Sequence, residues 1–487
     1  MESIFKLGIK SRVSLLLLFP IIVGIYYLPD IIFIFLIFTL IFTLIHIAYQ
    51  LIWAMKSYKK PIFKTSTSYP KVSIHIPTYN EPSEIVIRTI LSCLRLDYPN
   101  YEIIVLDNNT ADKRLWEPVQ RFCHKHTNIK FLHVEKLAGY KAGALTKCLE
   151  ISDPEAKYAF VVDADYILSK DSLHKAVGVA QGENASLVQF PQNYFHKEGM
   201  SGINEEYNHY FKAFARGSNS TQSMLSTGTL SLYNIEAINK VGGWKTSSIT
   251  EDAEIGVKFH EKKLKTFYAD ILIGQGMLPN TLKDMRIQRE RWAFGNMQCL
   301  LKLIFQNGVS ALKKLDIAIQ LTAWINFLGF SFLTLLGILI VTPFYEVPQF
   351  YPLIYMVGIN IGCYMIGKFF LFGITTRFYS QLHFQSFLFH MSMLDVHTFS
   401  WWDSLIGIKK PFRRTNKFFT EGAESVLPIG LVLLMTLAGV LLILKSYIIL
   451  GYVFIGFASI NYMGLILLSQ SLFRTTSYFS KLNTVKP

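Results

Sequence analysis

Apolar positions along this chain fall into two kinds of block. Long apolar runs gather towards the two ends: Val13–Tyr27, Ile31–Met55, Asp316–Phe344, Tyr351–Thr375, Val426–Leu444 and Tyr447–Ser469. Each comes close to the ~20 residues that carry a helix across a bilayer, so the pattern predicts about six spans. Between the second and third runs the composition is that of an ordinary globular domain. There, short apolar stretches alternate with amphipathic ones. Val72–Ile76, Tyr101–Leu106, Asn128–Val134, Tyr158–Val162 and Ala185–Phe190 read as strands, while Pro82–Leu96, Trp116–His126, Lys141–Ile151 and Asp171–Gln181 read as helices. Such alternation predicts an α/β domain with a mostly parallel sheet wound on both faces. Ligands of such a domain bind where the strands end.

Polar residues refine the membrane reading. Lys6, Lys10 and Arg12 precede the first apolar run as in a signal peptide, but no small-residue cleavage site follows, so an uncleaved hairpin is expected. Lys56, Lys59, Lys60 and Lys64 follow the second run; Lys409, Lys410, Arg413, Arg414 and Lys417 precede the fifth; Arg474, Lys481 and Lys486 close the chain. Placing all of them on the cytoplasmic side satisfies the positive-inside rule for a multi-pass protein of the cell membrane. The stretch Leu382–Trp402 is apolar but broken by His383, His390, Asp395 and His397, which predicts an amphipathic helix lying in the interface. The expected organisation is a transmembrane hairpin over 1–55 and a soluble domain over 56–300. Interface helices, two spans and a basic loop follow over 301–425, and a second hairpin with a short tail over 426–487. The net charge of +14 collects at the membrane flanks, so membrane lipid rather than nucleic acid is the expected partner for it. Five cysteines without paired spacing predict neither disulfides nor a zinc site.

Candidate chemistry sits at the expected strand ends. Asp163-Ala-Asp165 follows the run Tyr158–Val162, and alternation along a strand would point both carboxylates the same way. Such a pair needs a positive charge between its members. A divalent cation shared with a nucleotide diphosphate would supply it; the competing reading is a polar loop after a core strand. Tyr79 and Glu81 follow the first strand. Asp107 ends the second, where it would accept from a pyrimidine N–H or a ribose hydroxyl, or simply form a turn. Lys141 lies between two glycines at a helix start, a place that favours anions. In Ser248-Ile-Thr-Glu-Asp-Ala-Glu254, Ser248 and Glu251 fit a capping box, while Asp252 fits a general base. Gln288, Arg291 and Trp292 share one helical face, suited to a diphosphate and a sugar ring, or to anchoring at a membrane surface.

In this order and approximate spacing, the motifs resemble those of processive family-2 glycosyltransferases such as cellulose, hyaluronan and β-glucan synthases. Asp107-Asn-Asn-Thr110, Leu137-Ala-Gly-Tyr-Lys-Ala-Gly-Ala144 and Gly276-Met-Leu-Pro279 are most similar to bacterial β-1,3-glucan synthases. The resemblance implies a cytoplasmic GT-A (nucleotide-diphospho-sugar transferase) domain on a helical membrane bundle. Tyr79, Glu81 and Asp107 would hold uridine, and Lys141 and Asp163 the diphosphate. Asp165 would bind Mg²⁺ or Mn²⁺, and Asp252 would be the base. Gln288, Arg289 and Arg291 would lie near the diphosphate, with Trp292 under the acceptor sugar. Phe412, Thr415 and Lys417 match a gating loop of pattern Phe-x-Val-Thr-x-Lys, in which Arg414 here replaces the valine. The implied reaction is inverting polymerisation of glucose from a UDP-sugar donor, UDP-glucose, onto a growing polysaccharide. The product would leave past Trp324, Phe327, Phe330 and Tyr364. Two other readings are single transfer to a lipid acceptor and a catalytically silent sugar-nucleotide sensor or transporter subunit.

Overall fold

The computed structural model describes residues 11–56, 58–64, 69–195, 201–245, 247–279, 281–344, 350–410, 414, 415, 417 and 427–483. Among the described residues there are ten strands: β1 (Val72–Thr78), β2 (Tyr101–Asn108), β3 (Ile129–Val134), β4 (Tyr158–Val161), β5 (Ile167–Leu168), β6 (Leu187–Gln189), β7 (Asn193–Tyr194), β8 (Ser231–Asn234), β9 (Thr266–Tyr268) and β10 (Gly274–Gly276). Seven of them make one sheet in the order β3-β2-β1-β4-β8-β6-β9, and β5, β10 and β7 make a small second one. Strand β4 lies in the middle and is buried on both faces, which is why its sequence is a continuous apolar run and not an alternating one. The helix Ser83–Leu94 lays Val86, Ile90 and Cys93 against the core formed by Ile74, Val105 and Phe160.

The sheet is mostly parallel, as expected, but one strand makes it mixed. Pairs β1–β2, β2–β3, β1–β4 and β6–β9 are parallel, but β8 runs antiparallel to both β4 and β6. Its four residues, Ser-Leu-Tyr-Asn, are too short a run to stand out in the sequence. The reversal matters for the site. Ser231 pairs with Val161, so the residues that lead into β8 arrive at the rim where β1 and β4 end.

Three helices among the described residues are long and apolar enough to cross a membrane: Pro29–Met55, Tyr351–Thr375 and Ile448–Leu472. The other three expected spans fall short. Helices Arg12–Tyr27, Gly329–Val341 and Gly430–Leu444 hold 16, 13 and 15 residues. At about 1.5 Å per residue these reach roughly 20–24 Å, less than a hydrocarbon core of about 30 Å. The apolar run Asp316–Phe344 is split between the helices Ala311–Leu321 and Gly329–Val341, and in the break Asn326 is held by other partners: its side chain accepts from Leu328 N (3.1 Å) and Thr398 Oγ1 (2.9 Å), and its backbone N–H donates to His397. The segment expected as an interfacial helix is instead two helices, Ser380–Met391 and Leu394–Phe399, buried from Phe387 to Phe399. Protein partners and not water hold several of its polar groups. Asp395, for example, takes both terminal nitrogens of Arg286, which pins this segment to the helix Leu282–Phe305. All five cysteines are free thiols.

Candidate active site

At the rim of the sheet a cleft gathers side chains from ten separate stretches of sequence. Asp163 and Asp165 line it, together with Glu81, Lys141, Glu251 and Asp252. The two aspartates do not lie on the strand, because β4 ends at Val161 and a turn follows in which Tyr166 N–H donates to Asp163 O. It is this turn, and not strand alternation, that brings both carboxylates to the cleft. Lys141 reaches Asp163 from the start of the helix Tyr140–Glu150, whose N-cap Gly139 has φ 87°, a conformation that costs glycine little. The Lys141 ammonium donates to Asp163 Oδ1 at 2.5 Å and to Gly228 O at 2.7 Å, with Glu251 Oε1 at 3.9 Å.

A second cation enters from the far side. Lys417 Nζ lies 3.0 Å from Asp165 Oδ2 and 3.4 Å from Glu81 Oε1, and Arg414 lies 2.8 Å from Glu81 Oε2. Thr415 lines the same wall, whereas Phe412 lies outside the described residues. The cleft therefore alternates carboxylates and cations. Burial raises the Asp165 carboxyl above its usual range, with Lys417 acting against the rise. Burial also pushes Glu251 up, to about 7, with the charge of Asp252 adding to it. Asp252 moves up for the same first reason, opposed by Lys141. Burial works against the Lys141 charge, yet Asp163, Glu251 and Asp252 hold its pKa above the usual value.

Asp252 is not a helix cap. The helix Glu251–Glu261 has Thr250 as its N-cap with no side-chain cap bond, and Ser248 turns instead to Thr250 N and Gly295 O. The capping-box expectation is thus corrected. Behind Asp252 stands Gly228, with φ +82° and Asp252 Oδ2 only 2.8 Å from where a Cβ would be. A Gly228→Ala variant is expected to lose about 1–2 kcal/mol of stability from the left-handed backbone alone. It should also lose more transfer than that loss explains, because the methyl displaces the Asp252 carboxylate. Thermal unfolding measured beside turnover separates the two effects.

The helix Leu282–Phe305 supplies Gln288, Arg291 and Trp292 to the cleft. Arg291 is half-buried near Glu251, Asp163 and Asp252, and partial burial draws its pKa down against their pull. Arg289 does not join them. It is 0% exposed and paired with Glu206 on the other side of the helix, so its expected place near a diphosphate is corrected. Asp107 is likewise not on the cleft wall. It is buried, and its carboxylate accepts from Thr78 Oγ1, Thr110 Oγ1 and His133 Nδ1 at 2.8–2.9 Å, while Asn108 and Asn109 face the cleft in its stead. Tyr79 is on the wall as expected.

An adjoining cavity continues from the cleft and shares Asp252, Trp292, Gln192, Tyr194, Thr227 and Thr250 with it. Tyr210, Phe211 and Trp324 give it aromatic walls, and Asn296 and Gln320 add amide groups. Of the four aromatics expected along an exit path, only Trp324 lines it. Phe327 packs on Phe42 and Trp401, Phe330 packs on Phe35, and Tyr364 is buried against His390. Sequence reading missed Gln192, Tyr194, Thr227 and Gly228. The available signal was Ser226-Thr-Gly-Thr-Leu230, a glycine among hydroxyl residues just before a short strand.

Among the described residues no group of three or more His, Cys, Asp or Glu is arranged to hold a metal ion. Two carboxylates are enough for Mg²⁺ when phosphate oxygens and water complete its shell. Asp163 and Asp165 offer hard oxygen donors only, and Lys141 and Lys417 already answer them with positive charge. The donor set therefore fits a hard divalent cation delivered with a diphosphate.

Residues 73–242 match glycosyl transferase family 2, and residues 158–366 match glycosyl transferase family group 2. The chain is 28% identical over 253 residues to glucomannan 4-beta-mannosyltransferase 2 of Arabidopsis thaliana, covering 50% of this chain and 47% of the relative. It is 24% identical over 271 residues to putative cellulose synthase 2 of Komagataeibacter xylinus, covering 52% of this chain and 17% of the relative. The chain thus spans about half the length of the plant relative and less of the bacterial one. Among solved structures, a mannosyltransferase from Pyrobaculum calidifontis in complex with GDP-Man and Mn²⁺ superposes with TM-score 0.53 at 15% identity, over 72% of this chain and 99% of that one. The soluble part accordingly has a GT-A-like fold with a mixed sheet.

Proposed function

We propose that this chain is a membrane-bound family-2 glycosyltransferase that polymerises glucose from UDP-glucose into a β-linked glucan, with its soluble domain on the cytoplasmic face. One observation carries the reading. A cleft of alternating carboxylates and cations opens directly into an aromatic-walled cavity, and Asp252 and Trp292 belong to both. A charged donor fits the first space and a sugar chain the second, with the junction as the place of transfer.

The proposed mechanism is a single displacement. The acceptor hydroxyl attacks the anomeric carbon, the bond to the diphosphate breaks, and the configuration inverts. Asp252 takes the hydroxyl proton, and its burial keeps the carboxylate basic enough to do so. Lys141 and Arg291, with Gln288 beside them, face the negative charge that grows on the departing nucleotide. Tyr79 and Glu81 form the wall nearest the nucleoside, and Asp107 acts behind it by fixing Thr78 and Thr110. Asp165, with Asp163, would hold Mg²⁺ or Mn²⁺, which when bound neutralises phosphate charge. Trp292 offers the acceptor ring a flat apolar face. Lys417 and Thr415 close the wall over Asp165 and Glu81, and Phe412 of the same loop is proposed to act with them.

The raised carboxyls set a pH dependence. The base must be ionised, so transfer should be retained at high pH and fall as the pH drops through the raised titration of Asp252, which lies above the usual carboxylate range because of burial. A Glu251→Gln variant removes a neighbouring negative charge and should move this acid limb to lower pH. A profile of kcat/KM against pH for both proteins checks it; an unmoved limb would mean that another group titrates.

The reading is tested with the purified chain in lipid, supplied in turn with labelled UDP-glucose and GDP-mannose. The expected product is a high-mass glucan that endoglucanase degrades. Label extracted wholly into organic solvent on a lipid carrying one sugar would establish single transfer instead, and absence of any UDP release would favour a silent sensor.

A further inference from the structure

Arg289 is 0% exposed, the most enclosed cation of the soluble domain among the described residues, and it lies outside the cleft. Its guanidinium lies 3.7 Å from the ring centre of Trp324, 4.0 Å from that of Tyr207 and 4.7 Å from that of Trp292. Only one of its nitrogens has a protein partner among the described residues. Nη2 donates to Glu206, while Nε and Nη1 meet no hydrogen-bond acceptor. Leaving buried donors unmatched is costly, and a structural ion pair is ordinarily hydrogen-bonded throughout. Here the unmatched side of the guanidinium is given over to aromatic rings, an arrangement that arginine tolerates better than lysine because its cation is planar and weakly hydrated.

Those rings are not arbitrary. Trp292 and Trp324 line the aromatic cavity, as does Tyr207, whose hydroxyl also donates to the cleft residue Gln288 at 2.5 Å. Glu206 is itself fixed: it is 0% exposed, and its other oxygen lies 3.3 Å from His390 Nδ1 on the helix Ser380–Met391. The cavity wall is thus tied through one guanidinium and one carboxylate to the buried segment beside the membrane helices.

We propose that Arg289 is a positioning residue for the acceptor: clamped by Glu206, it fixes the indoles of Trp292 and Trp324 and the ring of Tyr207 in the orientation that grips a sugar chain. The proposal rests on the reading of Trp292 as the acceptor platform and adds the device that orients it. A stacking platform works only while its ring plane is held. A lysine at 289 would preserve the charge facing Glu206 but lose the planar contact that holds the rings.

The test uses the full chain in lipid, UDP as the donor-site probe, and cellotetraose and laminaritetraose as acceptor probes. Arg289→Lys is expected to keep the UDP dissociation constant within about twofold and to raise the half-saturating acceptor concentration by ~10-fold. In combination with Trp292→Ala it should add little to the single Trp292 defect, because both act through one platform. Glu206→Gln, nearly isosteric, should reproduce the acceptor defect in milder form and stands in if Arg289→Lys does not fold. Tryptophan fluorescence should report altered ring packing in either variant and not in Glu251→Gln. Loss of UDP affinity in parallel with acceptor affinity, or additivity of Arg289→Lys with Trp292→Ala, would overturn the positioning role alone. A Trp292→Ala protein with unchanged acceptor use would overturn the platform reading and this inference with it.

Discussion

Replacing Asp252 by Asn is expected to lower glycosyl transfer by ~10²-fold or more, the usual consequence of removing a positioned base, while UDP still binds. The structure makes this variant informative because it removes the main competing role. Thr250 and not Ser248 is the N-cap of the helix Glu251–Glu261, and Asp252 Oδ1 accepts from the next backbone N–H, that of Ala253, at 2.9 Å. An asparagine oxygen can accept that bond equally well. What remains is the favourable place of a carboxylate in the first helical turn, worth about 0.3–1 kcal/mol. Unfolding and UDP titration should therefore change little while turnover collapses. If transfer persists and a stability loss of ~1 kcal/mol is the only effect, Asp252 serves the helix and the base must be sought elsewhere, with Glu251 the next carboxylate on the same wall.

Local pattern made much of this site legible. The strands and helices of the soluble domain announce themselves by periodicity, since burial on both faces forces continuous apolar runs such as Tyr158–Val162. The polar residues that follow such runs then mark the rim. Tyr79, Glu81, Lys141, Asp163, Asp165 and Asp252 all line one cleft. What the pattern hides is direction. Arg289 and Arg291 are two residues apart, so on a helix they point to different faces, and only packing reveals that one meets Asp163 and the other Glu206. The antiparallel β8 is invisible for a different reason: four residues are too few for a period, although its entry delivers Gly228 to the cleft.

Length misled the membrane reading. A hydropathy run counts apolar residues without asking whether one helix contains them all. In Asp316–Phe344 the break around Asn326 is offset by hydrogen bonds to a segment some seventy residues later, which no local window contains. The histidines and aspartate of Leu382–Trp402 looked like contacts with water at a bilayer surface. Instead Asp395 answers Arg286 and His390 answers Glu206, so polarity within an apolar run here marks an internal interface. That interface joins the aromatic cavity to the membrane helices.

The second large effect concerns Asp165. Asp165→Asn is expected to abolish transfer at any Mn²⁺ or Mg²⁺ concentration, and a chelator should do the same to the unaltered protein, reversibly. Two causes would produce that loss. Asp165 is 7% exposed and lies 3.0 Å from Lys417, so it is a counter-ion as well as a cation ligand in waiting. Breaking a buried ion pair from one side typically costs about 3–5 kcal/mol, which would appear as lost stability and not as lost metal. Comparison with Lys417→Met separates them, because that change removes the same pair while leaving the carboxylate. Binding of Mn²⁺ in the presence of UDP, followed by electron paramagnetic resonance, should survive in Lys417→Met and vanish in Asp165→Asn. Retained Mn²⁺ binding in Asp165→Asn would assign the residue to the Lys417 wall. The cation would then have to be held by Asp163 and the diphosphate alone, and the alternation of carboxylates and lysines in the cleft would be an arrangement for nucleotide charge with no metal required of Asp165.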